Sequence, residues 1–201
     1  MAAATHEAPA TEHHTTTGID NRKMMMWIFL ASECLFFGAL ISTYLIFQGE
    51  SLVGPLPHEI LNIPVTSAST FVLLMSSLTM VLAVYGAQHG RLGMMKLMLL
   101  ATILLGLVFL GFQAYEFTSF VHEGLGLTTN QFGSSFYVLT GFHGTHVAVG
   151  VLYLTSMLLA SNRRTGLGHD RALHIDLAGL YWHFVDIVWI VIFTIIYLIP
   201  H

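Results

Sequence analysis

Apolar and polar positions divide the chain into two unequal parts. Residues 1–23 contain no apolar run and are dominated by Ala, Thr and His, among them His6, His13 and His14. That composition predicts a solvated tail without fixed structure. No 7–15-residue apolar core precedes a small-residue cleavage site there, so it does not resemble a signal peptide. Five long apolar runs follow, at 24–47, 65–88, 94–116, 132–160 and 177–199. A helix crosses the hydrocarbon core in about 20 residues, so each run is long enough to span. The fourth is the longest and is expected to tilt or to project beyond the bilayer. Turn chemistry separates the runs: Gly54, Pro55, Pro57 and Pro64 in the first gap, two glycines at 89–93, three at 123–133, and a polar, basic stretch at 161–176. The short alternating strands of an outer-membrane barrel are not in evidence. The predicted architecture is all-α, a polytopic membrane protein with a five-transmembrane-helix bundle.

Composition narrows the function. Only 9% of the residues are charged and 55% are hydrophobic, whereas soluble domains average about 25% charged. A soluble enzyme, a disordered chain and a nucleic-acid binder are all excluded. Seven Lys and Arg against eleven Asp and Glu provide no basic patch for phosphates. The single cysteine, Cys34, excludes an intrachain disulfide and an all-cysteine metal site.

Charge then sets an orientation. In the five-span layout Arg22, Lys23, Arg91, Lys96, Arg163, Arg164 and Arg171 all fall on one side, and Glu50, Glu59 and Glu123 on the other. The positive-inside rule puts the N-terminus in the cytoplasm and the C-terminus outside. A different span count would scatter the basic residues.

Ionisable groups at bilayer depth cost roughly 2.5–3.5 kcal/mol each on insertion scales and call for a reason. Glu33 lies nine residues beyond Met24, about 13 Å deep at 1.5 Å per residue. Two roles are open: a neutral carboxyl hydrogen-bonded to a neighbouring helix, or a group that influences proton movement in a partner. In the fifth span Trp182, His183, Asp186 and Trp189 share a face, and an i, i+3 pairing of His183 with Asp186 would lower the insertion cost. On that pairing, replacing Asp186 with Leu should cost assembly. The fourth span carries His143 and His146, again at i, i+3, beside a small-residue ridge of Thr140, Gly144 and Ala148. Two histidines at that spacing can ligate a metal, but nothing completes a ligand set. Glu116 closes the third run and is expected at the interface. The many hydroxyls of the second run (Ser67, Ser69, Thr70, Ser76, Ser77, Thr79) are expected to pack helices. A secondary transporter would need broken helices and an internal repeat, and a membrane metalloenzyme a full ligand set. Neither is present in the sequence.

Three ordered motifs carry a family resemblance. They are Ser32-Glu33-Cys34-Leu35-Phe36-Phe37; the stretch from Phe132-Gly133-Ser134 through Thr140-Gly141-Phe142-His143-Gly144-Thr145-His146-Val147; and Tyr181-Trp182-His183-Phe184-Val185-Asp186 with Val188-Trp189. Gln113 and Glu116 fit a further Gln-x-x-Glu element. Together they resemble subunit III of the haem–copper oxidases, the cytochrome c and quinol oxidases, from Met24 onward. The chain lacks the first two of the seven helices of mitochondrial-type members and is similar to the five-helix bacterial form. A related protein accompanies some nitric oxide reductases.

The resemblance implies a cofactor-free accessory subunit of a proton-pumping terminal oxidase in a bacterial cell membrane. It implies packing on subunit I, with subunit II and other subunits nearby, and haem and copper held by those partners. It also implies bound phospholipid, and cytochrome c, or alternatively quinol, as donor to the complex. Glu33 would be the mid-membrane glutamate beside subunit I. His143, His146, His183, Asp186, Trp182 and Glu116 would form a structural polar network, and Arg163 and Arg164 would meet lipid head groups.

Overall fold

The computed structural model describes residues 18, 20–47, 63–162 and 170–198. Most of the tail (1–17 and 19), the 48–62 connection, and Arg163 and Arg164 with the rest of 163–169 lie outside the described residues; residues 21–23, expected to lack fixed structure, instead form the first turn of α1. Five helices follow one another: α1 (Asn21–Phe47), α2 (Ile63–Gln88), α3 (Leu92–His122), α4 (Gln131–Asn162) and α5 (Arg171–Phe193), the last prolonged by a π-helical turn at Thr194–Leu198. All five are long and apolar enough to cross a membrane. Two ends depart from the apolar pattern: α3 continues six residues past Glu116, and α5 begins at Arg171 rather than near Leu177. Apolarity delimits what the hydrocarbon accepts, whereas backbone hydrogen bonding carries a helix on into the polar interface.

Local chemistry sets the ends. Asp20 caps α1, its Oδ1 accepting from the Arg22 amide at 2.8 Å. α2 closes with Gly90 at φ +67°: the Arg91 amide donates to the Gly86 carbonyl at 2.8 Å and the Gly90 amide to Ala87 at 3.4 Å. α3 closes in the same way at Gly124, with Leu125 donating to Phe120 at 2.9 Å. Asn130 caps α4 through its Oδ1 and the Gly133 amide at 2.6 Å.

Helices α2, α3, α4 and α5 close a ring in which each packs on the next and α5 returns to α2, while α1 leans on α4 and α5. The burden of burial is uneven: half of the α5 span is buried, against 11% of α1. α1 buries only Leu30, Phe37 and Tyr44, one residue in seven along a single stripe. Much of its remaining apolar surface, including Trp27, Ile28, Leu35 and Ile46, is bare.

At the centre of the ring stands Trp182 of α5, fully enclosed. A Cβ at Gly106 of α3 would come within 2.7 Å of its ring, and one at Gly150 of α4 within 3.0 Å. Its indole N–H donates to Ser76 Oγ of α2 at 3.0 Å. One side chain thus bridges to the other three helices of the ring. In lipid such close approach and interhelical hydrogen bonding carry association, because burial from water is not the driving force.

Candidate functional site

Among the described residues, three buried or half-buried carboxyls stand deep within the spans, each in a different setting. Glu33 of α1 faces His146 of α4 across their seam, with Oε2 3.2 Å from Nε2. His146 Nδ1 lies 2.7 Å from the Phe142 carbonyl, which can only accept, so Nδ1 carries a proton. One further proton therefore serves the Glu33–His146 contact. Either the carboxyl donates it to Nε2, or Nε2–H donates to a carboxylate. Tyr181 Oη donates to the His146 carbonyl at 3.0 Å and holds the turn. Phe37 lies edge-on to the His146 ring, with centroids 5.0 Å apart.

His143 and His146 part company. Their i, i+3 spacing would let both face one partner surface. Instead His146 looks outward to α1 and His143 inward, fully buried, stacked on Trp189 with centroids 4.8 Å apart and with Phe109 edge-on at 5.9 Å. Neither nitrogen of His143 has a hydrogen-bond partner. It fills an aromatic box where α3, α4 and α5 meet.

The expected His183–Asp186 pair is replaced by a different arrangement. His183 Nδ1 meets Ser77 Oγ of α2 at 2.8 Å. Asp186 is 3% exposed, and neither of its oxygens has a hydrogen-bond partner, with the Ser77 hydroxyl as its neighbour. Both side chains turn toward α2, where a hydroxyl stands ready, and not toward each other. One turn further on, the Trp189 indole donates to Thr70 Oγ1 of α2 at 3.0 Å.

Glu116 also departs from its expected interfacial setting. It is 5% exposed and accepts from the Thr66 hydroxyl of α2. Tyr197, in the π-helical turn, is buried as well. Because α3 continues to His122, Glu116 stays inside the bundle. Gln113, one turn earlier, donates its amide to the Thr140 carbonyl at 2.7 Å and lies where a Cβ on Gly144 would be.

The hydroxyl stripe of α2 is the least expected component. Thr66, Thr70, Ser76, Ser77 and Thr79 engage Glu116, Trp189, Trp182, His183 and Thr102 respectively. The stripe was legible as helix packing, but its partners were not. The i, i+4, i+11 spacing of Thr66, Thr70 and Ser77 was the signal, since it aligns those three on one face, while Ser76 and Thr79 point further round the helix. Among the described residues, no group of three or more His, Cys, Asp or Glu is placed to hold a metal ion.

A ring of four apolar helices pinned by buried tryptophans, with an outer helix joined through a carboxyl–imidazole contact, defines a polytopic membrane-protein bundle. The family model for cytochrome c oxidase subunit III matches residues 3–200. The chain is 41% identical over 189 residues to cytochrome c oxidase subunit 3 of Bacillus sp. (strain PS3), covering 94% of this chain and 91% of that one. It is 39% identical over 195 residues to a probable quinol oxidase subunit 3 of Staphylococcus saprophyticus, covering 96% of each. A probable quinol oxidase subunit 3 of Staphylococcus aureus is 38% identical over 194 residues, 92% of this chain and 96% of that one. The chain belongs to the cytochrome c oxidase subunit III family. It is a subunit of a haem–copper oxidase complex in a bacterial membrane, and not itself the catalytic chain.

Proposed function

We propose that this subunit flanks subunit I through the bare side of α1, supports proton uptake into it and prolongs the working life of its active site. Haem and copper reside in the partner subunits. The observation that carries this reading is the Glu33–His146 contact: a proton-sharing pair on the helix with the least buried surface, each side chain 18% exposed. A pair meant only to staple helices would be better placed inside the ring, where Glu116 and Asp186 are.

The basic end of the bundle, with Arg22, Lys23, Arg91, Lys96 and Arg171, lies on the cytoplasmic side under the positive-inside rule. The N-terminus is then cytoplasmic and the C-terminus periplasmic. Beside Glu33 a depression of about 490 Å³, lined by Met26, Phe29, Val149 and Tyr153, suits a phospholipid chain. Arg163 and Arg164 are the candidate head-group contacts. Relatives named as cytochrome c oxidase and as probable quinol oxidase subunits support either donor to the complex, and cytochrome c is the reading adopted here.

The test is Glu33→Ala in the assembled oxidase. Haem content should stay intact, while proton uptake or the number of turnovers before inactivation changes. Unaltered proton pumping and lifetime in a fully assembled variant would reduce Glu33 to a packing residue.

A further inference from the structure

The α2–α5 seam contains a second arrangement of titratable groups, remote from α1's free face. At the basic end a groove of about 260 Å³ runs between these two helices, with Tyr85 and Gln88 of α2 and Asp176 of α5 at its mouth. Gly179 forms part of its wall, and His183 lines its inner end. From Asp176 to Asp186 is about 15 Å along the helix at 1.5 Å per residue. Beyond the groove the polar path continues from His183 Nδ1 to Ser77 Oγ at 2.8 Å; Asp186, one turn further along α5 and with neither oxygen hydrogen-bonded, has Ser77 as its hydroxyl neighbour. The path ends there, because Trp182 to Ser76 and Trp189 to Thr70 bind α5 to α2 on either side of Asp186.

We propose that this seam is a blind proton inlet: water enters the groove from the basic end, and His183 and Ser77 relay a proton to and from Asp186, which stores it. The chemistry balances within three groups. In the loaded state the Asp186 carboxyl, once its side chain turns to Ser77, donates to Oγ, whose hydroxyl donates to the neutral His183 Nδ1. Reversing both hydrogen bonds moves one proton, leaving an Asp186 carboxylate that accepts from Ser77 and an imidazolium that donates to it. His183 then passes a proton to water in the groove.

A hydroxyl that can donate or accept is the one partner that suits both forms of the acid. A buried carboxyl with no fixed donor is otherwise a costly choice, since buried polar groups are nearly always paired. Among the described residues, the other titratable groups lining the path are Tyr85 of α2 and Asp176 of α5, and Lys23 of α1 sits with its Nζ 2.7 Å from Asp176. That ion pair, partly exposed, makes the mouth polar. The inlet shares no residue with the Glu33–His146 pair, so the two can fail separately.

The experiment uses membranes containing the assembled oxidase. In a Cys34→Ser background, Val84→Cys and Leu180→Cys place thiols in the groove, and Leu152→Cys and Ile187→Cys place them on bare apolar surface. A charged, membrane-impermeant thiol reagent should modify the groove positions and leave the other two unmodified. Equal reactivity in both sets would overturn the inlet. Infrared spectra then test the store. Asp186→Asn should remove one protonated-carboxyl band. In heavy water that band should exchange readily in the unmodified protein. In His183→Phe the exchange should slow on the order of a hundredfold, the lower end of what a positioned proton-transfer group contributes. The thiol adduct at Val84→Cys plugs the groove with the relay residues intact, and should slow the same band. No band lost in Asp186→Asn, or exchange unaffected by both the plug and His183→Phe, would overturn the relay.

Discussion

Glu33 and His146 face each other at 3.2 Å with one proton between them, because the Phe142 carbonyl has already claimed Nδ1 of the imidazole. The contact is charge-neutral overall whichever partner holds the proton, and this lets an acidic residue sit on a helix with so little buried surface. It also predicts how substitutions rank. Glu33→Gln keeps a donor for Nε2 and should leave the subunit as firmly held as before. Glu33→Leu strips His146 of its partner and should weaken α1 docking by about 1–3 kcal/mol. The retention of subunit III through detergent purification, with a thermal melt of the complex, separates the two.

Trp182 and the glycines around it make a sharper prediction. Gly106→Ala drives a Cβ into the caged indole and should destabilise by about 1–3 kcal/mol, the usual cost of overpacking. Gly111→Ala, on the same helix with open space where its Cβ would go, should be neutral or slightly stabilising. Parallel melts of the two variants test this; equal effects would mean that the glycines serve the helix backbone and not the tryptophan.

For Trp189, the ring and its N–H contribute separately. Trp189→Phe retains the stack on His143 while losing the hydrogen bond to Thr70, and should cost about 0.5–1.5 kcal/mol. Trp189→Ala also leaves a cavity beside His143 and Phe109, and should cost about 3–5 kcal/mol. Thermal unfolding of the purified complex reports both.

Asp186 reverses an expectation drawn from spacing. Were it the partner of His183, Asp186→Leu would prevent assembly. Since Ser77 holds His183, and no oxygen of Asp186 has a normal partner, the leucine removes a buried polar group without orphaning another. Subunit III should therefore be present at normal levels in complexes purified from the Asp186→Leu strain, as quantified by denaturing gel or mass spectrometry.

The chain by itself determined the number of helices, their approximate limits and which end is basic. These depend on one-dimensional quantities: runs of about 20 apolar residues that hydrocarbon accepts, and basic residues that it does not. It also marked Glu33, His143, His146, His183 and Asp186 as polar groups too costly to be incidental. Their partners were beyond it. Residues at i, i+3 share a helix face, but a helix inside a bundle has several neighbours, and a turn of some tens of degrees sends His146 to α1 and His143 to Trp189. The hydroxyl stripe of α2 is the clearest case. Serines and threonines in a span are locally satisfied by their own backbone carbonyls, as Ser76 is by Leu73 at 2.6 Å. Sequence therefore offers no sign that their remaining lone pairs serve Trp182 and Trp189. Tertiary packing decided that, because in lipid a buried N–H must find an acceptor on whichever helix comes closest, and only the assembled bundle brings α2 there.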